Sequence, residues 1–465
     1  MRFALVAALL PITALAAPCG DSVVRWGSAI VKSIEWFEGG TPIKPDQLIV
    51  GGSDEQKTIW NVLNDRDEFS ELVKIIKRDE KSVKKLDNKD LGLTFFAPNN
   101  EAIDKVRHGH KSVWSAILDK DHDNDKDKWI HQYIHDALQY ATLPQAIDYQ
   151  QFGRNSTYAT ELHAEDGSFG GNRRRIKVES STLPPWKVTL NNYAVVTESD
   201  IRAVNGLIHK LDTPLWLPPD ITDTLFLIPT EFSTTLAALE KIALQDRYQF
   251  NSNFGKEWNK KHQNDRHGKG FAATTFFAPT NAAWAQLPRD LQMYLFSPFG
   301  EAALRKLLAF HTIPNRLVFS EWYDRVHGDD DDESDFVVKY DDNLGFEWDY
   351  HFRSLTGQRL PVHAKKYQST LPGSKQYNVE VQAHGLYARN LDTVAQNGAI
   401  HVLDDVLSPR SKEGIDKTQN QKDWNEWKEW FFEYVPVSFI PVHEVLITSL
   451  RILADGPRRQ PTSRK

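Results

Sequence analysis

Two imidazoles stand at metal-ligand spacing in His131-Gln132-Tyr133-Ile134-His135, an i, i+4 pair that one helix face would present together. A metalloprotease of this pattern needs a glutamate beside the first histidine as general base, and Gln132 occupies that position. His443-Glu444-Val445-Leu446-Ile447 has the glutamate but not the second histidine. A metal-dependent hydrolase using His131 and His135 is therefore an alternative reading that lacks a base and a third ligand. Asp121, Asp123 and Asp125 open like a calcium loop, but Lys126 stands where glycine is needed and Gln132 where glutamate is needed, so a solvated charge run is the better reading. The acidic run Asp329–Asp335 offers at most loose, nonspecific cation binding. The nucleophile elbow Gly-x-Ser-x-Gly, the phosphate loop and the dinucleotide fingerprint do not occur. The expectation is no catalytic residue, no metal and no cofactor.

The positions of these residues depend on what kind of chain carries them. It has 465 residues, enough for two cores, and a net charge of −7, the wrong sign for a nucleic-acid binder that relies on charge. Residues 1–16 read as a secretory signal peptide: Arg2, an apolar run from Phe3 to Ile12, and the small-x-small cleavage site Ala14-Leu15-Ala16. One cysteine, Cys19, excludes an intrachain disulfide, so a secreted chain of this kind must hold itself by packing. No later run reads as a transmembrane span; Phe431–Leu453 contains Glu433, Pro436, Pro441, Glu444 and Arg451. Asn155-Ser156-Thr157 is a glycosylation sequon, which predicts a glycan on a surface loop. Arg173-Arg174-Arg175 reads as a solvated basic loop.

The main organisational signal is an internal repeat. Phe-Phe-Ala-Pro-x-Asn occurs at Phe95–Asn100 and again at Phe276–Asn281; Asn-Gly-x-Ile-His occurs at Asn205–His209 and again at Asn397–His401. The first pair is 181 residues apart and the second 192, so two ordered motifs recur at nearly one offset and each copy is a whole domain. The surplus of 11 falls in the second copy, where Gly328–Asp335 reads as an exposed loop. In each copy an amphipathic helix comes first: Phe69, Leu72, Val73 and Ile76, or Leu236, Leu239 and Ala243 with Ser233 or Thr234 as N-cap. A buried strand carries the phenylalanine pair and ends at its proline. A helical stretch then ends near His135 or His311, and the last third is strand-like, through Lys187–Leu190 or Tyr377–Val381. Asn-Gly makes a turn into the final strand.

Thr-Phe-Phe-Ala-Pro-x-Asn, then Ile134-His135 or Phe310-His311, then Asn-Gly-x-Ile-His-x-Leu-Asp, resembles the fasciclin domain, twice over. The match spans residues 58–218 and 221–409, behind an N-terminal segment 17–57. The resemblance implies an α+β fold: two tandem fasciclin-like domains, each a mixed, β-sandwich-like sheet with a packed helical layer. It also implies a non-catalytic adhesion protein that binds a cell-surface, cell-wall or matrix component, protein or glycan. With the disulfide-free composition it points to a fungal-type secreted member, extracellular or in the cell wall, with delivery to a vacuole lumen as the alternative. In animal relatives an acidic-x-Asp-Ile segment before the Asn-Gly turn resembles a receptor-binding motif. Glu198-Ser199-Asp200-Ile201 matches it; Asn390-Leu391-Asp392-Thr393 keeps only the aspartate. Glu198, Asp200, Ile201, His209, Asp392 and His401 are accordingly the candidate binding residues, with both histidines also readable as structural. Residues 410–465 lie outside the repeat; Trp424, Trp427, Trp430, Phe431 and Tyr434 share one side of a predicted helix that either packs on the second domain or docks to a partner.

Overall fold

The computed structural model describes residues 23–24, 56–109, 125–164, 168–181, 187–242, 273–325, 337–341, 345–368, 377–408, 427 and 430–431. The signal segment, Cys19, the calcium-like aspartates Asp121 and Asp123, the acidic run and the His443-Glu444 pair lie outside them.

The first unit opens with three short helices, α1 (Ile59–Asp65), α2 (Ser70–Ile76) and α3 (Glu80–Leu86), followed later by α4 (Asn100–Gly109) and α5 (Asp125–Tyr140). Thr58 caps α1 by accepting the Asn61 amide, and Asp79 caps α3 by accepting the Lys81 amide. In the second unit the helices are α6 (Ile221–Phe226), α7 (Pro229–Lys241), α8 (Asn281–Gln286), α9 (Arg289–Phe296) and α10 (Glu301–Phe310). Helix α7 starts at Pro229, four residues before the expected Ser233, because proline is pre-set for the first helical position and lacks only an amide that would be unpaired there. Helix α5 runs on to Tyr140 rather than ending near His135.

A two-residue strand β1 (Val23–Val24) precedes the first unit. The strands of that unit are β2 (Leu93–Pro98), β3 (Thr142–Leu143), β4 (Thr157–His163), β5 (Arg173–Ser180), β6 (Val188–Leu190), β7 (Ala194–Ala203) and β8 (Gly206–Leu211). Those of the second are β9 (Thr274–Pro279), β10 (Thr312–Pro314), β11 (Arg316–Phe319), β12 (Trp322–Arg325), β13 (Val337–Asp341), β14 (Gly345–Arg353), β15 (Arg359–Gln368), β16 (Tyr377–Ala383), β17 (Leu386–Ala395) and β18 (Gly398–Leu403). Among the described residues, one sheet has the order β3-β2-β8-β7-β6-β5-β4, the other β1-β13-β14-β15-β16-β17-β18-β9-β10, and β11 with β12 form a separate hairpin. Pairing is antiparallel except for β2 with β8 and β9 with β18, so each sheet is mixed and the architecture is α+β. The second sheet continues past β14 to β13, from the second copy, and β1, from the N-terminal segment, whereas the first stops at β4.

Strand register corrects one equivalence. Thr142 pairs with Phe95 and Thr312 with Phe276, so His311 corresponds to Ala141 and not to His135. Both phenylalanine pairs are fully buried, each ring contributing about 1.5–3 kcal/mol. The motif asparagines staple helices: Asn100 accepts the Glu71 amide and donates to the Asp67 carbonyl, while Asn281 accepts the Thr234 amide and donates to the Thr230 carbonyl. Each amide group thus fills a gap of one turn in the helix ladder.

Asn-Gly is more than a turn. The buried Asn205 accepts the first amide of α1 (Ile59, 2.8 Å) and donates to the Leu86 and Asn88 carbonyls; Asn397 accepts the first amide of α6 (Ile221, 3.1 Å). The glycines are required by close approach of the parallel partner strand. A Cβ on Gly206 would lie 1.9 Å from the Leu93 carbonyl oxygen, and one on Gly398 2.0 Å from that of Thr274. Gly206→Ala and Gly398→Ala are each expected to lower stability by about 3 kcal/mol or more, read as a fall in the urea midpoint; an unchanged midpoint would contradict this packing.

Candidate functional site

The candidate binding residues lie at one corner that each copy builds in the same way. Strands β7 and β17 carry a bulge, and the residue at its apex is left-handed: Asp200 at φ 57° and Asp392 at φ 56°. Aspartate tolerates this backbone and its carboxylate can bond locally. Oδ1 of Asp200 accepts the Tyr149 amide (2.9 Å), and Oδ1 of Asp392 accepts the Ser320 amide (2.8 Å). Nδ1 of His209 accepts the Asp200 amide and Nε2 donates to the Ile147 carbonyl at 2.9 Å. His401 does the same with the Asp392 amide and the Val318 carbonyl at 2.9 Å. Burial holds both imidazoles below their ordinary pKa, hence neutral.

This geometry turns most of the expected contact edge inward. Ile201 is 6% exposed and belongs to the first core; His209, Asp392 and His401 are fully buried. Glu198 is half-exposed and ion-paired with Lys210 (2.5 Å) and Arg66 (3.5 Å). Asp200 is half-buried and its carboxylate is held by the Tyr149 amide.

In the second copy the corner faces the first unit, and there the two domains meet. Asp392 Oδ2 meets the hydroxyls of Ser156 and Ser320, the latter at 2.5 Å, and Glu321 Oε2 meets the same two at 2.5 and 2.6 Å. Glu321 Oε1 accepts the Thr157 amide and hydroxyl at 2.6 and 2.8 Å. Two hydroxyls supply two hydrogens; with the Ser156–Ser320 contact at 2.8 Å the four oxygens share five contacts. Burial, then the neighbouring Glu321, raises the pKa of Asp392. Burial works the other way on Glu321 from its partners, and Arg175 and Lys366 prevail, holding it below the usual range.

Cations complete the seam. Arg173-Arg174-Arg175 is not a solvated loop but the start of β5, with Arg174 and Arg175 buried. Arg175 donates to Thr157 Oγ1 (2.7 Å) and lies over Phe319; Arg174 donates to the Gln396 carbonyl and lies over Phe169. Lys177 reaches Asn390, the position equivalent to Glu198. Lys366 donates to Asn155 Oδ1 at 2.6 Å, and burial lowers its pKa to about 8. Beside these polar groups Ala164 and Phe169 pack with Ala273, Leu317, Phe319, Val394 and Ala399.

The sequon is therefore not on a surface loop. Asn155 is 5% exposed, its carboxamide oxygen accepts from Lys366, and Ser156 and Thr157 are in the seam.

Ser156, Asp392 and His401 converge without the wiring of a nucleophile. The hydroxyl meets the carboxylate, while both imidazole nitrogens are engaged by backbone groups. His131 is exposed, and His135 Nδ1 lies 2.7 Å from Asp79, the α3 cap, tying α5 to α3. Burial opposes ionisation of Asp79, but hydrogen bonds with Ser82 and His135 keep its pKa low. A cluster that sequence reasoning missed is Glu347, Asp349 and His363, brought together only by the β14–β15 register. His363 pairs with Asp349 at 2.7 Å, which raises its pKa. From the C-terminal segment, Trp427, Trp430 and Phe431 are buried in the second core; Lys306 donates to the Trp430 carbonyl (2.7 Å) and lies over its ring.

The Fasciclin domain model matches residues 67–218 and 230–409. A Gibberella zeae protein named Aurofusarin biosynthesis cluster protein S is 26% identical over 368 residues, covering 78% of this chain and 79% of that one. A solved FAS1 domain pair from the insect cell adhesion molecule fasciclin I is 14% identical, covers 72% of this chain and 94% of that chain, and superposes with a TM-score of 0.28. No helix among the described residues is long and apolar enough to cross a membrane.

Three outcomes follow from the seam and its histidines. Glu321→Ala leaves Arg175 and Lys366 without their anion and should cost about 3–5 kcal/mol, whereas Asp392→Asn, which keeps the shape and removes a charge beside Glu321, should cost under about 1 kcal/mol; urea unfolding compares them. His209, His311 and His401 all have pKa values lowered by burial, His311 to about 4. A group that stays neutral in the fold stabilises above its unfolded pKa of about 6.5, and this is lost as pH falls toward the folded value. The urea midpoint should thus drop between about pH 6.5 and 4, and a flat profile would refute the neutral assignment. Finally, burial of Asn155 predicts no glycosidase-sensitive mass at that residue in chain expressed through a secretory pathway.

Proposed function

Since the chain belongs to the Fasciclin domain family, with both domains matched, we propose that it is a non-catalytic, secreted or surface-associated protein that binds a cell-wall, cell-surface or matrix component through the pair. The observation that carries this reading is the seam. Tight polar contacts between Ser156 and Thr157 of one domain and Ser320, Glu321 and Asp392 of the other support two domains held as one body. Two weak binding faces held at a fixed spacing gain avidity when both meet a repetitive surface, and a rigid connection avoids the entropy lost by a flexible linker. The signal segment supports a secretory route, with a wall or a vacuole lumen as destinations.

A second reading rests on the relative named for aurofusarin biosynthesis: an accessory role in a biosynthetic cluster, in which the chain assists other proteins rather than attaching a cell to a surface. The test is a tagged full-length chain followed by fractionation. The surface reading expects the protein in the wall or medium fraction and saturable binding to isolated walls, weakened at least tenfold by Glu321→Ala if the fixed pair is what binds. Retention inside the cell with no wall binding would overturn it. Loss of the gene that changes the accumulating products while leaving attachment intact would favour the accessory role.

A further inference from the structure

Beside the seam the two domains enclose an open cleft of about 760 Å³. That is the size of a small-molecule site, and such sites favour domain interfaces. Its lining is uneven in a way that specifies chemistry. The first domain contributes mostly polar and charged groups, including Arg154, Asn155 and Lys177. The second contributes an apolar corner from Leu225, Ile228 and Phe232. Lys177 is paired with Glu179, and Arg389 with Glu231 and Asp404. Arg154 is exposed at the cleft, and among the described residues no carboxylate lies within ion-pair distance of its guanidinium. Arginine's planar fork is suited to a carboxylate or similar anion. Beside the apolar corner the chain exposes three consecutive large apolar residues, Phe226 (69%), Leu227 (71%) and Ile228 (44%), where a soluble surface would ordinarily be polar.

We infer that the interdomain cleft binds a small amphipathic organic acid, with its apolar or aromatic body against Leu225, Ile228 and Phe232 and its anionic group on Arg154. The site goes beyond surface attachment and stands or falls separately from it, since neither Arg154 nor Ile228 contributes to the polar seam. It exists only when both domains are docked, because neither supplies both the cation and the apolar wall.

The test uses the full chain and two fluorescent probes: anilinonaphthalene sulfonate, an aromatic body with an anion, and phenylnaphthylamine, a comparable body without one. The expected result is saturable binding of both to the wild type. Arg154→Gln should weaken the sulfonate probe about tenfold, with Arg154→Lys intermediate, and leave the neutral probe unchanged. Ile228→Ser should weaken both. Circular dichroism and urea midpoints matching the wild type show that each variant is folded. Equal sulfonate affinity in the wild type and a folded Arg154→Gln would overturn the assignment, as would probe binding that does not saturate or is indifferent to Ile228→Ser.

Discussion

The arrangement of the molecule depends on two carboxyl groups, Glu321 and Asp392, placed side by side where the domains meet. Both are buried, so neither can rely on water to spread its charge. Both belong to the second domain, and an isolated buried pair of this kind would destabilise it and the face it presents. The pair is tolerable because Arg175 and Lys366 neutralise one member, burial and Glu321 raise the pKa of the other, and the hydroxyls of Ser156 and Ser320 fill the space between. Every one of these groups has to be in place together. The seam is therefore selective in geometry: a rotated or shifted docking would strand a charge, whereas an apolar seam would accept many neighbouring registers.

The same corner shows how duplication has been put to two uses. In both copies a left-handed aspartate, a buried neutral histidine and a backbone carbonyl hold the bulge. In the first copy the corner is half-exposed and Glu198 is spent on Lys210 and Arg66. In the second the equivalent residue is Asn390, which accepts from Lys177 of the other domain. The replacement of Ile201 by Thr393 similarly changes a core side chain into one that lines the cleft. Where the second copy departs from the first, at Asn390 and Thr393, its side chains thus face the neighbouring domain or the cleft between them.

Much of the fold was legible in the residues because it is repeated. The phenylalanine strands, the Asn-Gly hairpins and the strand-rich final third all recur in order, and the α+β pair follows from them. The seam was not legible, because its contacts join residues 164 to 236 positions apart and no local pattern announces them. Polar strings such as Asn155-Ser156-Thr157 and Arg173-Arg174-Arg175 look like surface when read alone; only the partner domain makes them interior. His311 was matched with His135 by residue type, and strand register then assigned it to Ala141 instead. Three aromatic residues of the C-terminal segment, Trp427, Trp430 and Phe431, proved to be ordinary core.

The polar character of the seam also bears on synthesis. Ser156 and its partner Glu321 are 165 residues apart, which a ribosome at ordinary speed covers in about 10–30 s. During that interval the first domain can complete its sheet, from β2 to β8, while its docking face still waits. That face carries Arg174, Arg175 and Lys177, which hydrate readily. A nascent chain offering charge in place of bare hydrocarbon is poorly disposed to aggregate. Strand β1 waits longer still, since its ladder partner β13 lies more than three hundred residues downstream. The chain's earliest described segment is consequently among the last to find its place.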